Sequence, residues 1–318
     1  MKFKFLSVFV LLMFVASPGF TQGQITVAAD SSSGTYDKML ADIISVCSTD
    51  TFTISKATNS GGAVGNLQAL VENKAQAAFL HSDVYIFNAQ SDPAYARFQT
   101  LLALYPEPIH VLALKQSKMT RPVSSFGGFR TTNVSVDFSS LSEIDGYKVG
   151  AAGGGWVTIR VLKGGGGKFV PTEYPSGDTV LNALNNGEIA AAVFVGAAPL
   201  PNLEKLDRSK YKLLTIGDPI AGQLAAYYRP VTINYPGMTN GPLKTIAPLA
   251  NIMTRKYSTL DKINIQSHFR DCVYKKLPSL QDDASPNWQD VQVNDHGIAI
   301  IPWLDLPSSA SKSAPAKK

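Results

Sequence analysis

From residue 24 onward the chain alternates two kinds of apolar pattern. "QITVAAD" (24–30), "TFTISKA" (51–57) and "AQAAFLH" (75–81) are short apolar runs that read as buried strands. Between them, Met39, Leu40, Ile43 and Ile44 recur at helical spacing and predict a helix over 35–46. Val64, Leu67, Leu70 and Val71 predict another over 63–72. Strand–helix–strand–helix–strand implies a parallel sheet with right-handed crossovers. "LLALYPEPIHVLALK" (101–115) adds strand material. The pattern then restarts with a short helix and the strand "YKVGAA" inside 138–155, a helix from Trp156, the strand "KFVPTEY", and a helix, an Asn186-Gly187 turn and a strand over 178–196. The two units share an order of elements, which predicts an α/β protein of two related lobes. The expected division is lobe I over 24–120 and 228–305, and lobe II over 121–227. Linkers are expected near 116–135 and 222–232.

The termini read differently. Lys2 and Lys4 precede an apolar run, Leu6 to Ala16, and then small and turn-forming residues. This predicts a secretory signal peptide over 1–23, cut after Gly19 or Gly23, and hence a protein exported from the cytoplasm, in the periplasm if the cell is one that has such a compartment. The run is short for a membrane span. Residues 306–318, rich in Ser, Ala, Pro and Lys, read as a disordered tail.

Charge changes the picture little. The chain has 29 Lys and Arg against 24 Asp and Glu. Lys2, Lys4, Lys312, Lys317 and Lys318 lie in the two terminal segments, so the body is balanced, which argues against a nucleic-acid partner. Cys47 and Cys272 fall in helical segments far apart in sequence. An extracytoplasmic disulfide and two separate buried thiols both remain open. His81, His110, His268 and His296 lack ligand-like spacing, so neither a metal nor another cofactor is expected.

Three helix starts follow strand ends: "DSSSGTYDK" from Asp30, "NSGGAVGN" from Asn59 and "AAGGGWVT" from Ala151. In open α/β sheets ligands bind beyond the carboxyl ends of the strands. The first turn of a helix offers unpaired N–H groups and the positive end of its dipole. Ser32, Ser33, Gly34, Thr35 and Tyr36 at the first start, Asn59, Ser60, Gly61, Gly62 and Asn66 at the second, and Gly153, Gly154, Gly155, Trp156 and Thr158 at the third are therefore candidate binding residues, with Gly196. A carboxylate is the natural guest of such a site. His81, Ser82 and Asp83 end a buried strand and join the candidates. "LKGGGGKF" (162–169) lacks the glycine spacing and the hydroxyl of a phosphate loop and lies between a helix and a strand in the wrong order. There is no G-x-S-x-G elbow, and a non-enzymatic protein is expected.

The order of "SSSGTYDKMLADI", "NSGGAVGNLQAL", "AAFLHSDVY", "LYPEPIHVLA", "LSEIDGYKVGAAGGG" and "ALNNGEIAAAVFVGAAPLPNLEKL" resembles the TAXI-type solute-binding proteins of tripartite ATP-independent periplasmic (TRAP) transporters, over roughly 25–255. The resemblance implies a type II periplasmic-binding-protein fold, two lobes closing on a small carboxylate, and an integral membrane TRAP permease as partner. A receptor that reads the closed form of a stand-alone sensor is the alternative partner. Three departures stand out. Gly153-Gly154-Gly155-Trp156 replaces the family's Gly-Ser-Gly-Thr turn, His81 stands where glutamine is usual, and "NDHGIAIIPW" only distantly echoes His-Pro-Gly-Ala. With Trp156 and Tyr36 as flat walls, the expected guest is a carboxylate with a larger or flatter body than glutamate.

Overall fold

The computed structural model describes residues 23–30, 34–58, 61–125, 130–293 and 295–307. The expected signal peptide up to residue 22, the tail beyond 307, and Ser32, Ser33, Asn59 and Ser60 lie outside them.

In chain order the elements are β1 (Gly23–Ala28), α1 (Thr35–Cys47), β2 (Phe52–Lys56), α2 (Gly62–Val71), β3 (Ala77–His81), α3 (Ser82–Ser91), α4 (Pro93–Ala96), β4 (Phe98–Pro106), β5 (Ile109–Leu114), β6 (Thr120–Ser125) and β7 (Arg130–Ser135). They continue with β8 (Lys148–Ala151), α5 (Gly154–Gly164), β9 (Val170–Glu173), α6 (Gly177–Asn186), β10 (Ala191–Val195), α7 (Pro201–Glu204), β11 (Tyr211–Leu214), α8 (Asp218–Gln223), β12 (Arg229–Ile233), β13 (Leu243–Ala247), β14 (Leu249–Arg255) and α9 (Leu260–Asp283).

Two five-stranded sheets result, ordered β2-β1-β3-β14-β4 and β9-β8-β10-β5-β11. The orders correspond place by place. In each, the first three strands run parallel and the fourth runs antiparallel to the third. That fourth strand is the one brought in from the other lobe: β5 leaves the first lobe, and β14 returns to it. This is the two-lobed periplasmic-binding-protein fold, and the internal repeat is one of topology. One apolar core serves the first lobe. Two smaller clusters serve the second.

The crossings do not fall where the sequence places them. The chain crosses at Pro106–Ile109 and again at Ala247–Leu249, and the two crossings lie side by side, Glu107 N donating to Pro248 O at 2.9 Å. β5, expected in lobe I, belongs to the second sheet. "LYPEPIHVLAL" is apolar on both sides of Pro106-Glu107-Pro108, so only that short interruption marks the break. The segments expected as linkers hold regular elements: β6 and β7 pair antiparallel within 116–135, and 222–232 runs from the end of α8 into β12.

The first lobe is fastened by its C-terminal segment. Cys47 at the end of α1 is bridged to Cys272 on α9. Trp288, fully buried, donates from Nε1 to Asp42 Oδ2 of α1 at 3.0 Å. Residues 302–304 run along β4, with Thr100 and Leu304 in backbone pairing. Leu306, assigned to the tail by composition, packs on the same core, and its carbonyl accepts from Arg270 at 3.1 Å. Gly23, the last residue of the expected signal peptide, is instead paired with Phe52 as the first residue of β1.

Candidate functional site

A cavity of about 310 Å³ lies between the lobes, at the size expected of a small-molecule site. The carboxyl ends of strands from both sheets open onto it. The first lobe contributes Asp30, Thr35, Tyr36, Gly62, Ala63, His81 and Glu107. The second contributes Ala152, Gly154, Gly155, Gly177, the run Val193–Gly196, Leu200, Asn202 and Leu203.

The chemistry is concentrated on the first lobe. His81 ends β3 and is 7 % exposed. Its Nε2 lies 3.9 Å from Glu107 Oε2, and its Nδ1 lies 3.4 Å from Asp83 Oδ1, without hydrogen-bond geometry. Burial alone would push the imidazole down, but Glu107, Asp83 and Asp30 outweigh it and hold the ring charged, up to about 9. Glu107, 4 % exposed, accepts from the Tyr36 hydroxyl at 2.6 Å and from the Tyr105 hydroxyl at 3.4 Å. Burial pushes its carboxyl up, opposed by His81 and the Tyr36 hydrogen bond. Tyr36 stacks on Phe79 at 5.3 Å between ring centroids, which fixes its hydroxyl on Glu107.

Asp30 alters the meaning of the first two helix starts. It follows β1, and its carboxylate accepts the Tyr36 backbone N–H in the first turn of α1. A Cβ at Gly34 would collide with that carboxylate, and one at Gly62 would lie 3.6 Å from its Oδ1. At α1, one of the first-turn N–H groups expected to receive a ligand carboxylate, that of Tyr36, thus already faces one belonging to the protein. Burial pushes Asp30 up, while the Tyr36 amide and His81 hold it down. Gly61 and Gly62 enter α2 at φ 65° and 76°, a left-handed turn that suits glycine.

The expected binding residues fall into two groups. Thr35, Tyr36, Gly62, His81, Gly154, Gly155 and Gly196 line the cavity. Gly34, Gly61, Asn66, Ser82, Asp83, Gly153, Trp156 and Thr158 do not, and several of these hold the fold together. Asn66 donates to Phe79 O at 2.7 Å, tying α2 to β3. Ser82 Oγ accepts from Leu249 N at 3.0 Å, where the chain re-enters the first lobe. Asp83 is fully buried and bolts the lobes together: Thr158 of α5 and Tyr228 donate to its Oδ2 at 2.7 and 2.9 Å. Trp156, read as a flat wall, instead packs against the second-lobe core, with the Arg160 guanidinium 5.5 Å from its ring centroid. Gly154 lets α5 approach the first lobe: a Cβ there would lie 2.5 Å from His81 Cε1. Asp30, Glu107, Phe194, Leu200, Asn202 and Leu203 are additional wall residues. Glu107 carried the clearest signal, a lone acid inside an apolar run. Among the described residues no group of histidine, cysteine or acidic side chains has the arrangement to hold a metal ion. No helix among them is long and apolar enough to cross a membrane.

Solved structures resemble the chain at low identity. An arginine transport-system periplasmic binding protein from Legionella pneumophila is 13 % identical, with 80 % of this chain and 93 % of that one covered and a TM-score of 0.45. The amino acid ABC transporter substrate-binding protein AbpA of Streptococcus pneumoniae, bound to L-arginine, is 12 % identical, with coverage of 85 % and 97 % and a TM-score of 0.46. A TctC solute-binding protein from Polaromonas is 13 % identical, with coverage of 80 % and 88 % and a TM-score of 0.44. No curated protein matches the sequence. The family model that does match covers residues 27–263, three-quarters of the chain, and by it the protein belongs to the NMT1-like family.

Proposed function

We propose that the protein is a periplasmic solute-binding protein that captures a small organic molecule by lobe closure and delivers it to a membrane permease of the TRAP type. The observation that carries this reading is the cavity of about 310 Å³ whose two walls come from different lobes of a chain that crosses between them twice. Such a cavity forms only when the lobes meet, so a solute that touches both walls shifts the open–closed balance by its preference for the closed form. On this reading the paired crossings at 106–109 and 247–249 are the hinge. The permease partner rests on the TAXI-type sequence resemblance.

The carboxylate expected from the helix starts keeps one place. Gly154 and Gly155 at the N-terminus of α5 line the cavity beside the His81 ring. At α1 Asp30 takes that place, and its carboxylate also lies beside Gly62 at the start of α2. The solute's carboxylate, where it has one, therefore sits on the second lobe.

The test is native mass spectrometry of protein purified without refolding, followed by small-angle scattering before and after the bound species is removed. A co-isolated small molecule whose return compacts the protein is the expected result. Chemical turnover of that molecule, or the absence of any binder across a broad solute screen, would sink the reading.

A further inference from the structure

This inference rests on the solute-capture reading and concerns what the solute carries. Among the described residues two carboxylates, Asp30 and Glu107, face the cavity, and no lysine or arginine lines it. The one basic side chain on the wall among the described residues, His81, is shared between Glu107 at 3.9 Å and Asp83 at 3.4 Å. One imidazolium thus answers three carboxylates. Asp30 has the first turn of α1 as a partner, but Glu107 lies on no helix, and the hydroxyls of Tyr36 and Tyr105 are neutral donors. An anion entering from solvent would meet two carboxylates across a wall that burial has stripped of water, whereas a cation would compensate them. Among the described residues the opposite wall brings no ionisable side chain. It is apolar along Val193, Phe194, Leu200 and Leu203.

We propose that the solute is an organic ammonium ion with an apolar body, its nitrogen docked against Asp30 and Glu107 and its body against Phe194 and Leu200. The first lobe then reads charge, and the second reads shape.

Three probes with a common body separate the contributions: 2-phenylethylamine, phenylalanine and 3-phenylpropanoate, each followed by thermal shift and calorimetric titration of the whole protein. Ligands that bind the folded state raise its melting temperature. The amine and the amino acid are expected to do so and the acid is not. Asp30→Asn and Glu107→Gln, each still cooperatively folded, are expected to weaken the amine by at least about tenfold. Equal binding of 3-phenylpropanoate, or amine binding that survives both substitutions together, overturns the proposal and leaves solute capture standing. Failure of all three probes overturns it as well. A co-isolated acid without a basic nitrogen then shows that capture itself is sound, and the absence of any co-isolated molecule removes both.

Discussion

The two lobes repeat one topology, yet their faces on the cavity share almost no chemistry. Among the described residues every ionisable side chain on the wall belongs to the first lobe: Asp30, Tyr36, His81 and Glu107. The second lobe answers with glycines at the starts of α5 and α6 and with apolar side chains from β10 to α7. Equivalent strand ends therefore do different work. The first lobe holds a buried charge cluster, which demands rigid placement. The second brings backbone and apolar surface close, which demands small residues. The fastenings follow the same division, since the disulfide and the C-terminal segment both secure the first lobe.

The strongest way to break this contrast is to remove the staple. The bridge joins residues 225 apart, and the chain-entropy account of so long a loop assigns it about 5 kcal/mol. In Cys47→Ala/Cys272→Ala the first lobe is expected to melt ahead of the second, giving two calorimetric transitions. A single transition at the original temperature would show that the bridge constrains nothing.

Next in size is the bolt between the lobes. Asp83→Ala leaves Thr158 and Tyr228 without their buried acceptor and His81 without one of its charge partners, a loss of about 3–5 kcal/mol. Because the donors come from the second lobe, the radius of gyration is expected to rise along with the loss of stability. Thr158→Val removes one hydrogen bond and should cost only about 1–2 kcal/mol. If both variants stay compact with equal stability, Asp83 is not what joins the lobes.

Most of the fold was legible because its signals are local. The β-branched runs, the helical spacing of Met39, Leu40 and Ile43, and the glycine-rich helix starts each lie within a dozen residues. The chain crossing was not, because Pro106-Glu107-Pro108 interrupts a run that is apolar on both sides. The β6–β7 pair was hidden for the opposite reason: the central stretches of both strands are exposed, so no alternation marks them. At the site, Tyr36, Gly62, His81, Gly154 and Gly155 could be named from their strand ends. Asp30 could not, and Glu107 stood out only as a lone acid inside an apolar run, with nothing nearby to say what it meets. What an acid faces depends on which ends converge, and their neighbours are remote in sequence. Glu107 meets Tyr36 across 71 residues. Asp83, which was named, turned out to serve donors 75 and 145 residues away.

Two histidines sharpen the contrast between the lobes through pH. His81, in the first, is raised to about 9, where Glu107, Asp83 and Asp30 outweigh burial. His110 on β5, in the second, is lowered to about 4 by burial, with its Nε2 2.9 Å from the Tyr235 hydroxyl. An unfolded histidine titrates near 6.5. The His81 contribution is thus fully present below about 6.5 and is lost as pH rises towards 9. The His110 cost is absent above about 6.5 and grows as pH falls towards 4. Each is on the order of 3 kcal/mol over its window. Asp30 and Glu107, raised by burial, act in the acid window with the opposite sign, so that limb is read as the difference between wild type and His110→Asn. His81→Asn is expected to flatten the alkaline limb. An alkaline limb unchanged in His81→Asn would mean that the imidazole is not the charge the cluster holds.

The smallest effect tests where Trp156 belongs. Arg160 on α5 places its guanidinium 4.4 Å from the ring centroid of Phe87 on α3 and 5.5 Å from that of Trp156. The cation therefore spans the lobes, and the Trp156 indole faces it while packing on the second-lobe core. A cation–π contact at a partly exposed site is worth about 0.5–1 kcal/mol. A double-mutant cycle of Arg160→Ala with Phe87→Leu should return a coupling of that size, while solute affinity changes less than about twofold. The same cycle run with Trp156→Leu should couple more weakly, since its ring lies farther from the charge. Solute affinity that falls with Trp156→Leu, and not with Arg160→Ala, would return the indole to the cavity wall, and the second lobe would then read its solute through an aromatic face as well as through shape.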